Sequence, residues 1–308
     1  MYRSVLFLLT LVIIITACNS NESGKEKVYQ DFEAISLLGD TLRSNPPSAA
    51  LIERARERQE NFEADPSVDN WIWHGRFIAY QGFYNEAIAF YSEGIEKFPN
   101  DARLYRHRGH RYISIREFDK AIADFSKAVE LREGMENEIE PDGAPNAQNI
   151  PVSSLHGNIY YHLGLAHYLK GELEPALAAY KNAVAASRMD DNVVSGTHWI
   201  YMMLRLMGRD SEAKAALEPI NKGMKVIENF AYHELCLFYK GEITLEELTK
   251  SGGGELGSND AVNYGIGNWY QYNGNLDQAV DVYTSILTKA GWASFGYIAA
   301  EADLNRLN

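Results

Sequence analysis

A spacing of 34 residues constrains this chain more than any other feature in it. From Asn70 to Leu131 the sequence falls into two halves. Laying Gly75 on Gly109 sets Trp71 on Tyr105, Ala87 on Ala121, Tyr91 on Phe125 and Gly94 on Ala128. Self-similarity at a fixed period of this size marks an architecture built from one supersecondary unit used repeatedly. Within the first half, Trp71, Phe77, Ile78 and Tyr80 sit at helical intervals, Gln81-Gly82 interrupts the run, and a second run begins near Asn85. Each unit is therefore expected to be a pair of antiparallel helices. The small residues at 75 and 87 let two helix axes approach closely, and the aromatics at 71, 84 and 91 fill the space around that contact. Pro99-Asn100 closes the unit, because proline disfavours helix in the residue before it. One pair cannot bury its own apolar face, so successive pairs must stack.

This alternation of bulky and small residues resembles the tetratricopeptide repeat. The resemblance implies an all-α fold: a right-handed superhelical solenoid of antiparallel helix pairs, with the first helix of each pair lining a concave face. Repeats are expected at about 68–101, 102–135, 157–190 and 194–227, with a degenerate unit at 228–250, a last repeat at 260–293 and a terminal helix at 294–306. The third repeat keeps Tyr160, Gly164, Gly171, Ala176, Tyr180 and Ala183, and the last keeps Gly267, Gly274, Ala279 and Tyr283. In the fourth, Tyr201 stands where the others have glycine. Between the second and third repeats the pattern stops. Residues 134–155 carry three prolines and several carboxylates, and read as a loop insertion. Long loops of this kind are often functional, so a lid over the groove is one reading and a solvated connector the other. Ahead of the repeats, residues 28–67 are expected to form two capping helices, about Val28 to Arg43 and Ser48 to Phe62.

At the N-terminus, Arg3 precedes an apolar run from Val5 to Ile15, too short to span a bilayer as a helix. Ile15-Thr16-Ala17-Cys18 resembles a bacterial lipoprotein signal. That resemblance implies removal of residues 1–17, lipidation of Cys18 and membrane attachment through several acyl chains, with residues 18–27 as a flexible tether. It implies a location in the bacterial cell envelope. Asn19 after the cysteine points to the outer membrane, facing the periplasm. The other cysteine, Cys236, is expected to be a buried helical thiol.

A formal charge of −13 argues against nucleic acid as a partner, since phosphate binding needs a basic surface. The string Gly252-Gly253-Gly254-Glu255-Leu256-Gly257 follows a charged helical run rather than a strand, so it reads as a loop and not a nucleotide site. His107 and His110 lie three apart, but among Arg103, Arg106, Arg108 and Arg111, which repel a cation, so no metal is expected there. No nucleophile elbow or HExxH motif occurs, and neither a catalytic residue nor a cofactor is assigned.

Helical geometry instead points to the concave face. The residues placed there as a peptide-binding groove are Arg76, Tyr80, Arg106, His110, Tyr161, Tyr168, His198, Arg205, Tyr264 and Asn268. This inner set has three arginines and no carboxylate, in an acidic chain. It is expected to bind a protein or peptide partner through an acidic or C-terminal carboxylate-bearing segment, with Arg76, Arg106 and Arg205 as the cationic contacts. The competing expectation is that these arginines pair with neighbouring acids. The lysine and asparagine carboxylate clamp of chaperone-binding repeats is not matched at Ile72, Arg76, His107, Asn158 and His162. In layout the chain resembles envelope lipoproteins of this repeat family that act as adaptors for a periplasmic protease and for peptidoglycan hydrolases, most closely over Phe230 to Thr284. That resemblance implies a non-enzymatic scaffold. The alternatives are an accessory subunit of an outer-membrane machine, or an enzyme with an unrecognised site.

Overall fold

The computed structural model describes residues 32–143, 145–251, 260–288 and 291–307. Cys18, its signal-like leader and the glycine-rich string at 252–257 lie outside the described residues. After α1 (Ala49–Ala64), helix pairs follow one another along the chain: α2 (Val68–Tyr80) with α3 (Tyr84–Lys97), α4 (Ala102–Ser114) with α5 (Phe118–Arg132), and α6 (Leu155–Leu169) with the helix that follows it. Then come α7 (Leu173–Ala185), α8 (Asp190–Leu206), α9 (Asp210–Ala216), α10 (Phe230–Tyr239), α11 (Leu245–Ser251), α12 (Asp260–Tyr272), α13 (Leu276–Leu287) and α14 (Phe295–Leu307).

The repeat is built by one contact used four times. A methyl added to Gly75 would lie 2.5 Å from the ring of Tyr91; at Gly109 it meets Phe125 at 3.0 Å, at Gly164 Tyr180 at 2.6 Å, and at Gly267 Tyr283 at 2.5 Å. All four rings are fully enclosed. The glycine on the first helix of each pair is thus the floor on which the aromatic of the second helix lies. Replacing Gly164 by valine is expected to cost about 1–3 kcal/mol in urea unfolding, the usual range for overpacking. An unchanged midpoint would show that the ring has room to move.

The turns between paired helices use a left-handed residue, supplied by Gly82, Gly171, Gly208, Gly241 and Gly274 at φ between +70° and +89°. Glycine suits that position because it lacks Cβ. In the second repeat the equivalent residue, 34 positions after Gly82, is Arg116, with φ 67°.

Two expectations are corrected. Where a helix from Val28 to Arg43 was expected, the described part is an antiparallel hairpin, β1 (Phe32–Ile35) paired with β2 (Thr41–Arg43). Its turn is organised by Gly39 at φ +94° and by Ser36, whose hydroxyl accepts from the amides of Leu38 and Asp40. The fourth repeat is also shorter than expected. After α9 the chain leaves the helix, Pro219 follows, and the buried Asp191 carboxylate accepts from the amides of Ile227, Glu228 and Asn229.

The stack closes on itself. Helix α14 packs on α12 and α13 and reaches across to α6, burying Ile298, Ala299, Ala300 and Ala302. The hairpin is tied in from the other end, where Trp292 donates to the carbonyl of Arg43 and Leu37 donates to Glu301. The hollow side of the solenoid is therefore partly filled by the chain's own C-terminal helix.

Candidate functional site

The groove residues inferred from helical geometry divide into three environments. Arg76, Tyr80, Arg106 and His110 come together on α2 and α4, where with Ala79, Tyr91, His107 and Arg111 they line a cavity of about 100 Å³. This is room for several waters or a small anion. Tyr168, Tyr264, Asn268 and His198 are not on an open surface, which corrects their assignment to the groove. All four are buried, at 0–1% exposure. Tyr168 and Tyr264 share a hydroxyl–hydroxyl hydrogen bond, Asn268 donates to Tyr168 at 3.1 Å, and Tyr264 donates to Asp303 of α14 at 2.7 Å. His198 stacks on Tyr239, and burial alone pushes its pKa down to about 3. Tyr161 is half-buried and accepts from the Trp199 indole at 2.8 Å. Arg205 lies apart, beside Tyr201, Lys214, Tyr239 and Lys240 in a separate cavity of about 560 Å³. There it pairs with Asp210 at 2.9 Å and its guanidinium sits 4.5 Å over the Tyr272 ring. Helical geometry gives the direction each side chain leaves its own helix. It carries no information about which distant segment fills the hollow, and α14 does so here.

The expectation of an inner face without carboxylates is corrected as well. The loop between α5 and α6 brings Glu140 into the arginine cluster. One Glu140 oxygen lies 3.2 Å from Arg106 Nε and accepts from Asn158 at 2.9 Å; the other is 3.4 Å from His107 Nε2. Arg106 also contacts His107 Nδ1 at 3.0 Å. Arg76 donates instead to the backbone carbonyl of Pro141 at 2.8 Å and to the Tyr80 hydroxyl at 3.2 Å.

Arg111 was not among the residues assigned to the groove, although it had been noted within the arginine-rich run of α4. Its guanidinium lies 5.6 Å over the Tyr84 ring and makes no hydrogen bond or ion pair among the described residues. Burial pulls its pKa below the ordinary value for arginine. His107, His110 and His162 are held well below the ordinary imidazole range, first by burial and then by the surrounding arginines, so at neutral pH they are uncharged. The positive charge of this mouth therefore comes from Arg76, Arg106 and Arg111, and Glu140 answers Arg106. Arg76 also acts electrostatically on the Asp142 carboxyl of the same loop, whereas Arg111 has no carboxylate partner among the described residues.

The site is set on stacked helix pairs with glycine floors, the architecture of a helical-repeat protein. The tetratricopeptide repeat family matches residues 102–134 and 157–188, and these two units are tetratricopeptide repeats in an all-α superhelix. Among curated proteins, the chain is 32% identical over 101 residues to small glutamine-rich tetratricopeptide repeat-containing protein 2 of Saccharomyces cerevisiae, covering 33% of this chain and 23% of that one. It is 29% identical over 115 residues to the Hsp70-Hsp90 organizing protein of Triticum aestivum, covering 37% of this chain and 16% of the relative. The chain thus spans less than a quarter of the length of these relatives. Among solved structures, YrrB, a repeat protein with an unusual peptide-binding site, aligns at a TM-score of 0.43 and 19% identity over 76% of this chain and 92% of its own. The Cut9–Hcn1 hetero-tetramer aligns at a TM-score of 0.47 and 14% identity over 78% of this chain and 37% of that one.

Proposed function

We propose that this chain is a protein-interaction scaffold of the bacterial cell envelope, held to the membrane by lipid on Cys18, whose arginine-lined mouth takes an acidic or carboxylate-ended segment of a partner protein. The observation that carries the reading is the placement of Arg76, Arg106 and Arg111 around one small cavity, with Arg111 lacking a carboxylate partner among the described residues, in a chain of net charge −13. Cations concentrated in one concavity of an acidic molecule are a recognition feature, because a solvated surface cation gains little from staying there. The anchor rests on the Ile15-Thr16-Ala17-Cys18 sequence and the apolar run before it. Binding, not turnover, is the activity assigned.

The test uses the full chain in its native membrane. A photoreactive phenylalanine at Tyr80, which is exposed at the edge of the cavity, is expected to cross-link a protein partner. Combining Arg76→Ala with Arg111→Ala is expected to reduce that adduct at least fivefold while leaving the thermal melt in place. An adduct that survives loss of both arginines removes the acidic-segment reading. Failure of labelled palmitate to enter the protein at Cys18 removes the anchor.

A further inference from the structure

We propose that residues 138–143 occupy the arginine-lined mouth as a built-in copy of its ligand, so that the partner carries an extended acidic segment of the kind Glu-Pro-acid-Gly and binds by displacing this strap. The inference rests on the scaffold reading above and names the chemistry of its partner.

The strap is held as a peptide ligand would be. Its base is fixed: Asn137 donates to Ser154 Oγ and to the carbonyl of Ala186, Arg188 donates to the carbonyl of Asn137, and Ile139 and Ser154 form an antiparallel bridge. From there it crosses the mouth with side-chain and main-chain groups both recognised. The Glu140 carboxylate meets Arg106, His107 and Asn158. The carbonyl of Pro141 accepts from Arg76 at 2.8 Å and that of Gly143 from Arg54 at 3.4 Å. At the far side Asn146 donates to Glu228 at 3.0 Å. A methyl at Gly143 would lie 1.8 Å from the Tyr80 hydroxyl and 2.7 Å from Arg76, so any side chain there has to push both of those side-chain ends aside. The mouth therefore selects a carboxylate three residues ahead of a glycine.

Two segments of the chain fill the hollow, and they differ in how firmly. Helix α14 buries Tyr297, Ile298, Ala299, Ala300, Ala302 and Leu304. Each large apolar side chain so enclosed contributes about 1.5–3 kcal/mol, and such a helix stays. Among the described residues of 138–151 only Glu140 and Gly143 are buried, while Ile139 and Ile150 stand in solvent at 57% and 43% exposure. The strap's attachment is polar, and polar contacts exchange with an incoming segment of the same chemistry at small net cost. Arg111 remains beside the docked strap without a carboxylate, so an external segment with one more acid gains a contact that the strap does not make.

The experiment measures binding of a labelled peptide, acetyl-Glu-Ile-Glu-Pro-Asp-Gly-amide, to the full chain in detergent by fluorescence anisotropy. Three forms are compared: intact protein, Glu140→Ala, and protein carrying a protease site between the exposed Ala147 and Gln148, cleaved after folding. The nicked form keeps every side chain, so it decides the question even where Glu140→Ala loses stability. Nicked protein is expected to bind at least tenfold more tightly than intact protein, and a peptide with alanine in place of glycine is expected to lose that gain. Equal affinity of nicked and intact protein, or equal binding of the alanine peptide, overturns the inference. A Tyr80 adduct that still depends on Arg76 and Arg111 would in that case leave the scaffold reading standing.

Discussion

Glu301→Ala is expected to lower the stability of this protein by about 3–5 kcal/mol, the range measured when one partner of a buried ion pair is removed. Glu301 and Arg116 are 1% and 3% exposed at their side chains and meet through two contacts, at 2.7 and 3.1 Å. The remaining groups are satisfied too. Arg116 donates to the carbonyls of Ser114 and Trp292, and Glu301 accepts from the amide of Leu37 at 2.6 Å. Removing the carboxylate strands a guanidinium and a backbone amide in a dry setting, where each costs far more than in water. Three parts of the chain lose their common point at once: the hairpin, the turn between α4 and α5, and α14. Denaturant unfolding of the single variant and of the double variant Arg116→Met, Glu301→Leu separates the causes. Because an apolar replacement of a buried pair is often close to neutral, the double variant is expected to recover most of the loss. A single variant within 1 kcal/mol of the parent would show that the closure is held by α14 packing alone.

This contact also shows where reading the sequence stops. The glycine and aromatic offsets that build each pair are local, sixteen residues apart, and they repeat, so Gly75, Gly109, Gly164 and Gly267 were legible before any coordinates. Arg116 occupies a turn position that glycine fills in five other repeats, and takes a left-handed conformation that costs an ordinary residue about 1 kcal/mol or more. That departure was a signal in the sequence, but its meaning depends on Glu301, which is 185 residues away. The hairpin was missed for a different reason. Leu37, Leu38 and the residues around them fit a helical pattern, while Gly39 and Ser36 made a turn that holds only because Glu33 and Leu37 find partners in Asn85 and Glu301. The groove was half legible. Side-chain direction from α2 and α4 placed Arg76, Tyr80, Arg106 and His110 together. The segments that occupy the hollow, residues 138–143 and α14, reach it by long-range packing, which no periodicity encodes.

Acidification from pH 7 to pH 5 is expected to be the second large effect, and its sign follows from the buried imidazoles. His198 titrates near 3 in the folded chain, and an unfolded histidine near 6.5. Below about 6.5 the unfolded chain takes up a proton that the folded chain refuses, so stability is complete above that pH and falls as pH drops toward the folded value. At pH 5 His198 alone removes about 2 kcal/mol. His107, His110 and His162 are depressed in the same direction by burial and by their arginine neighbours, so they add to the loss. Glu33, Asp124 and Asp142, whose carboxyls are raised first by burial, act with the opposite sign: their contribution is present at low pH and lost as pH rises. His156 is lowered as well, and five imidazoles against three carboxyls leave the fall dominant between pH 6.5 and 5. Urea unfolding at half-unit steps checks the slope. His198→Gln, which keeps a polar group of similar reach to Tyr239, is expected to be less stable at pH 7 yet to lose about 2 kcal/mol less than the parent on going to pH 5. Parallel pH profiles for parent and variant would mean that His198 takes up its proton inside the folded chain.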